Sequence, residues 1–240
     1  MGMPITVEIV DDVSPDLFGA AFAYFASVDE RFSLYRPDSE ISRLNSGAVA
    51  QAEVSDAMRE ILEIAEKTKH ESRGYFDIRH PPGGVDPSGI VKGWAIRNVA
   101  NLLRDAGAHN FFVDAGGDIQ SHGLNAGGEA WTVGIRNPFQ IDEVIKIVAP
   151  HGRGVATSGT SARGQHIYNP HQPTQPIDDV MSLTVIGPDV LEADRFATAA
   201  FAMGNAGIHF VEQLDGFEGY GVDASGVATW TSGFGAFVSQ

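Results

Sequence analysis

Gly83-Gly84-Val85-Asp86-Pro87-Ser88-Gly89-Ile90-Val91-Lys92-Gly93-Trp94 is a glycine-rich turn that runs directly into a helical pattern. Ile90, Trp94, Ile96, Val99, Leu102 and Leu103 carry the apolar spacing of an amphipathic helix, and Gly107 stands where such a helix stops. Pro87 and Ser88 occupy its start, so unpaired backbone N–H groups are expected there. A helix end of that kind favours anions, and Lys92 adds a positive charge one turn further in. Asp86 does not suit a phosphate directly. It suits a place beside a metal ion, or as acceptor for a base or ribose hydroxyl. The stretch is neither a P-loop nor a dinucleotide fingerprint, because G-x-x-x-x-G-K-[ST] and G-x-G-x-x-G are both absent. Read alone, it is explained more simply as a glycine-rich loop ahead of a packing helix.

Downstream, residues 110–114 form a compact apolar strand, turned by Ala115-Gly116-Gly117-Asp118 into a second strand ending near His122. Adjacent glycines point to backbone approaching backbone or ligand. Further strands are expected at 131–136, 144–149, 155–160, 165–170 and 181–186, then helices at 191–203, closed by Gly204, and at 207–214. Residues 217–222 and 227–230 read as a closing hairpin. Upstream, 4–10 alternates as a strand, Ser14 caps a helix from Pro15 to Arg31, and Ser55 caps another from Asp56 to Glu71. Residues 32–45 mix aromatic with hydrogen-bonding side chains and show no clean period, so they read as an ordered loop. Residues 74–78 read as a short strand. Short turns between strands, without a regular βαβ rhythm, predict an α+β fold with largely antiparallel sheets and packed helices, in one domain over residues 1–240.

The 240 residues carry 31 acidic and 16 basic side chains, a formal charge of −15. That excess argues against nucleic acid or an anionic membrane as partner. An anionic substrate would need a locally positive pocket or a metal ion. Cysteine is absent, which excludes disulfides, thiolate catalysis and zinc–sulfur sites. No run reaches transmembrane length and no charged-then-apolar leader opens the chain. The expected compartment is the cytoplasm, with a trimmed exported protein as the alternative.

Asp194 and Thr198 lie four apart on the small-residue side of a mostly apolar helix. A carboxylate and a hydroxyl in that setting want polar partners, and a hard cation such as magnesium supplies one. Alternatively, Asp194 complements the helix dipole and Thr198 bonds back to a carbonyl. His166 stands among polar loops and hydroxyl residues, with a pKa suited to taking a proton near neutrality. A Ser-His-Asp hydrolase is a poor reading, because G-x-S-x-G is missing.

Together these blocks form a recognisable series. Residues 32–45, Phe-Ser-Leu-Tyr-Arg-Pro-Asp-Ser-Glu-Ile-Ser-Arg-Leu-Asn, resemble the N-terminal signature of the FAD:protein FMN transferases, the ApbE-type flavin transferases. Tyr75-Phe-Asp77 is similar to that family's G-x-F-D, and Asp86-Pro-Ser-Gly-Ile-Val-Lys-Gly93 to its D-L-G-G-I-A-K-G. Val113-Asp-Ala-Gly-Gly-Asp118, Thr157-Ser-Gly159, His166-Ile-Tyr-Asn-Pro170 and Ala193-Asp-Arg-Phe-Ala-Thr198 match further blocks in the family's order. The chain departs from the pattern in a short 78–85 segment, at Asn169 in place of Asp, and at His171-Gln172-Pro173 in place of R-T-G.

The resemblance implies an ApbE-like α+β fold, FAD as substrate, Mg2+, and transfer of FMN to a threonine of a target protein with release of AMP. It assigns the metal to Asp194, Thr198 and the Gly89 carbonyl. Lys92 and Asp86 would fix the nucleotide, Tyr35 would stack on a ring, Asp77 and Ile167 would line the pocket, and His166 would be the base. The rivals are an FAD pyrophosphatase using water as acceptor and a flavin-binding protein without catalysis.

Overall fold

The computed structural model describes residues 2–80, 84–159 and 167–239. In chain order, β1 (Ile5–Ile9), α1 (Asp16–Phe32), α2 (Glu40–Asn45) and α3 (Asp56–Glu71) lead to a small hairpin, β2 (Arg79–His80) and β3 (Gly84–Val85). Then come α4 (Ser88–Asp105), β4 (Phe111–Ala115), β5 (Asp118–His122), β6 (Val133–Asn137), β7 (Gln140–Val148), β8 (Gly154–Gly159) and β9 (Val180–Gly187). The chain closes with α5 (Val190–Ala202), α6 (Gly207–Glu212), β10 (Glu218–Asp223) and β11 (Ala228–Trp230).

Seven strands form one sheet in the order β1-β4-β5-β8-β9-β10-β11, and its neighbours pair antiparallel throughout. One face holds the helices. Ile90, Trp94, Ile96, Val99 and Leu103 of α4 pack with α1, α3 and the Phe111 and Val113 side chains of β4. The small-residue helix α5 lies beside α4 and covers Ala156, Leu183 and Val185 of β8 and β9. The alternate residues Val155 and Ile186, with Ile119 and Val222, face the other way and are covered by Val133, Ile135 and Val148 of the separate β6–β7 hairpin. The period-two burial along the central strands thus feeds two cores at once.

This is the α+β, largely antiparallel architecture expected from the sequence. Gly107, at φ +89°, ends α4 as read. Three local expectations fail. Residues 40–45 are helix, not loop: Ser39 caps it by accepting the Ser42 N–H at 3.2 Å, and six residues are too short to show a period. The 74–78 strand is absent, because Arg73 and Gly74 hold positive φ and carry the chain through a turn into β2 instead. Residues 167–169 are not strand. The cap of α1 also shifts: Pro15 holds the cap position, and Ser14 only accepts the Asp16 N–H at 3.3 Å.

The close contact of α4 with α5 depends on Gly93. A Cβ there would lie 2.7 Å from Asp194 Cβ and 2.8 Å from the Val190 carbonyl oxygen. Alanine normally favours a helix interior over glycine by about 1 kcal/mol. At Gly93 that gain is outweighed, because the helices must part. Urea unfolding of Gly93→Ala is expected to show a loss of about 1–3 kcal/mol. Gly19, in α1 with open space around it, is the control, and Gly19→Ala should gain about 0.5–1 kcal/mol. Undiminished stability of Gly93→Ala would contradict the tight crossing.

Candidate active site at the crossing of two helices

Two pairs of residues meet where α4 crosses α5. At the start of α4, a Cβ on Gly89 would stand 3.3 Å from Thr198 Oγ1 and 3.1 Å from its Cγ2, so the hydroxyl sits directly against this backbone. One turn on, the Gly93 N–H donates to Asp194 Oδ2 at 2.8 Å. In a regular helix that N–H serves the carbonyl four residues back, here Gly89. The Gly89 carbonyl therefore does not have its usual donor to itself. The four-residue spacing within each helix is what brings Gly89, Gly93, Asp194 and Thr198 to one crossing.

Lys92 reaches under the same crossing. Its Nζ lies 2.6 Å from Asp118 Oδ2 and 3.9 Å from Asp194 Oδ1. Asp118, at the first position of β5, is 1% exposed, and its Oδ1 also accepts the Thr157 N–H at 3.2 Å. Burial pushes the Asp194 carboxyl well above the usual carboxylate range; Lys92 pulls it back, and Asp118 pushes it further up. Two buried carboxylates thus share one ammonium. The ligand atoms offered at the crossing are all oxygens, and ionising Asp194 there leaves a negative charge beyond what Lys92 matches, which suits a hard cation. Among the described residues no group of three or more His, Cys, Asp and Glu converges as a metal cage. A site here would consist of one carboxylate, one hydroxyl and one carbonyl.

A second group of expected residues lies around the turn into α4. Asp86 accepts the Ser88 N–H at 2.9 Å across Pro87, which holds the cap position of α4, so the acid that looked out of place in the sequence ties down the turn into the helix. Asp77 pairs with Lys69 at 2.7 Å and accepts the Arg79 N–H. Tyr168 donates to the Asp77 carbonyl at 3.1 Å, and its hydroxyl titrates high because of burial and the charges of Asp77 and Asp86. Ile167 packs beside the α5 core. Tyr35 is set apart, 97% exposed on the loop ahead of α2. His166 lies outside the described residues.

Sequence reasoning missed Asp118 and Tyr168 as members of these clusters. The signal for Asp118 was present: an acid directly after a glycine turn, at the head of an apolar strand. The departures from the family pattern also find places. Asn169 Oδ1 accepts the His171 N–H at 2.9 Å, and His171 meets Tyr75 edge-on with ring centres 4.5 Å apart. The polar residues of 32–45 serve as ties: Glu40 accepts the Ser55 hydroxyl at 2.7 Å, and Asn45 bonds both the N–H and the carbonyl of Val85.

Among the described residues no helix is long and apolar enough to cross a membrane. The solved flavin transferase ApbE of Vibrio cholerae superposes with a TM-score of 0.83 at 23% identity, covering 99% of this chain and 96% of that one. The ApbE protein of Thermotoga maritima gives 0.87 at 20% identity, covering 99% and 96%. These likenesses establish the fold. A curated FAD:protein FMN transferase of Klebsiella pneumoniae is 30% identical over 211 residues, 82% of this chain and 59% of that protein. Its namesake in Salmonella typhimurium is 27% identical over 210 residues, again 82% and 59%. The chain therefore spans less than two thirds of the length of these relatives. The ApbE family model matches residues 1–83 and 79–220, nearly the whole described structure, and on that match the chain belongs to the ApbE family.

Proposed function

We propose that this chain is a flavin transferase that moves FMN from FAD to the hydroxyl of a threonine in a target protein, with Mg2+ bound and AMP released. The observation that carries this reading is the meeting of the Gly89 backbone, Thr198 Oγ1 and the buried Asp194 carboxylate beside Lys92. Transfer from a pyrophosphate asks mainly for positioning and charge neutralisation, and the crossing is built for both. The naming of relatives as FAD:protein FMN transferases supports the same reading.

The residues fit Mg2+, since the oxygen donors are few and one buried carboxylate exceeds what Lys92 neutralises. Asp194, Thr198 and the Gly89 carbonyl would hold it. Bound there, it would supply positive charge to the pyrophosphate oxygens. The first-turn N–H groups of α4 and Lys92 would orient the same oxygens, and Asp86 the nucleotide. Asp77 and Ile167 would line the pocket, and Tyr35 would close onto a ring. The threonine oxygen bonds to the phosphorus of the FMN half as the bond from that phosphorus to the bridging oxygen breaks. The bridging oxygen leaves with AMP. His166 takes the hydroxyl proton. The chain serves as one catalytic unit in this scheme.

Incubation with FAD, Mg2+ and a threonine-bearing acceptor is expected to release AMP and leave covalent flavin on the acceptor. AMP without labelled acceptor would point to hydrolysis instead, and neither product to binding alone. His166→Ala should retain FAD affinity and lose roughly 100- to 10,000-fold in turnover; wild-type turnover would remove His166 from the mechanism.

Asp194→Asn tests the crossing itself. Turnover should fall on the order of 100-fold or more, with little recovery on adding Mg2+. Stability should move the other way. The folded carboxyl titrates above its unfolded value, so the native state binds more protons between the two. Its stability is therefore lost as pH rises through that window. Asparagine removes the loss, and the metal-free variant should melt higher than wild type at neutral pH. A fully active variant, or one less stable at neutral pH, would contradict the assignment.

A further inference from the structure

We propose that the cavity at the C-terminal half of α4 is a second binding site, for a small oxyanion bearing a phosphate or carboxylate group, gripped by Arg97 and Arg104. The cavity measures about 260 Å³ and opens between α4, β5 and the turn into α5. Arg97, Ala100, Asn101 and Arg104 recur at helical spacing, so they share one face of α4 and line it together. Ala100 stands between the two arginines on this face, and the Arg104 guanidinium bonds Asn101 Oδ1 beside it. Arg97 Nη2 bonds Glu60 at 3.0 Å, yet its buried Nε has no hydrogen-bond partner among the described residues. A buried guanidinium N–H without an acceptor is costly, and an oxyanion would satisfy it.

The opposite wall is held rigid. Gln120 is fixed at both ends, donating to the Gly152 carbonyl at 2.9 Å and accepting the Val190 N–H at 2.9 Å. The His122 ring stacks on Phe111 with an interplanar angle of 16°, and its Nδ1 lies 2.8 Å from the His109 carbonyl. That carbonyl can only accept, so Nδ1 carries the proton, and Nε2 of the neutral ring is an acceptor that a ligand hydroxyl, not an oxyanion, would meet. Two acids oppose the arginines: Asp189 in the lining, whose Oδ1 accepts the Glu192 N–H as the cap of α5, and Glu60 of α3, paired with Arg97.

Two features set the ligand class. A chain of formal charge −15 repels anions at long range, so an anion is retained only where cations are gathered locally. Arginine pairs of this kind match the geometry of phosphate and carboxylate oxygens. The volume lies below the roughly 300–1,000 Å³ of drug-sized pockets, which limits the ligand to a small molecule. The site is distinct from the helix crossing. Arg97 and Arg104 stand eight and fifteen residues beyond Gly89, about 12 and 22 Å along the helix axis.

Isothermal titration with inorganic phosphate, and separately with succinate, at ionic strength held constant with sodium chloride, tests the proposal. One saturable site per chain is expected for at least one of the two. The tighter ligand identifies the group, phosphate or carboxylate, that the site takes. Arg104 is exposed, so Arg104→Gln should fold normally, bind FAD as wild type does, and weaken the anion at least tenfold. Arg97→Gln should do the same. Saturating FAD should leave the anion affinity unchanged. The proposal is overturned if neither anion gives saturable heat, if Arg104→Gln binds as tightly as wild type, or if FAD competes.

Discussion

The hydrogen bond from the Gly93 N–H to the Asp194 carboxylate is the contact on which the rest of this structure turns. It requires a helix backbone close enough to another helix for an amide to reach a side chain one carbon long. Only a residue without a Cβ allows that approach. The same closeness sets Gly89 against Thr198 and places Lys92 beneath both carboxylates. Packing and chemistry are therefore one constraint here. A change that separates α4 from α5 also dismantles the oxygen cluster.

The electrostatics follow from that geometry. A carboxylate buried between two helices is unfavourable unless its charge is matched. Lys92 matches one of the pair formed by Asp118 and Asp194, and lies closer to Asp118. Asp194 is left as the group whose ionised form the fold does not fully support. In the proposed enzyme this is the useful state. A divalent cation bound there would supply the missing charge at the place where a pyrophosphate would arrive, next to the start of α4.

Much of this was legible in the sequence, and the parts that were not have physical reasons. The helix over 88–105 and its glycine stop could be read because eighteen residues display their period several times. Asp194 and Thr198 could be paired because helical spacing fixes their common face. The contact of Gly89 with Thr198 could not be read from periodicity, because it joins residues more than a hundred apart, and only the likeness to a family's ordered motifs grouped them. Asp118 was visible as an acid after a glycine turn, but its partners Lys92 and Thr157 come from other elements, so its place in the cluster could not be read. Helix α2 escaped because its six residues are too few to display a period. The cavity beside Arg97 and Arg104 had no sequence signature, since its two walls come from a helix face and a strand that meet only in the folded chain.

The central claim is that Asp194 is a buried acid awaiting a divalent cation. The most direct measurement is the proton release that accompanies Mg2+ binding, read by titration calorimetry in buffers of different ionisation enthalpy. If the folded carboxyl titrates above its ordinary range, Mg2+ must displace its proton wherever the acid is still protonated. The release should shrink as pH rises and be absent in Asp194→Asn. Mg2+ binding with no proton release at any pH, or equal binding by wild type and Asp194→Asn, would contradict the claim.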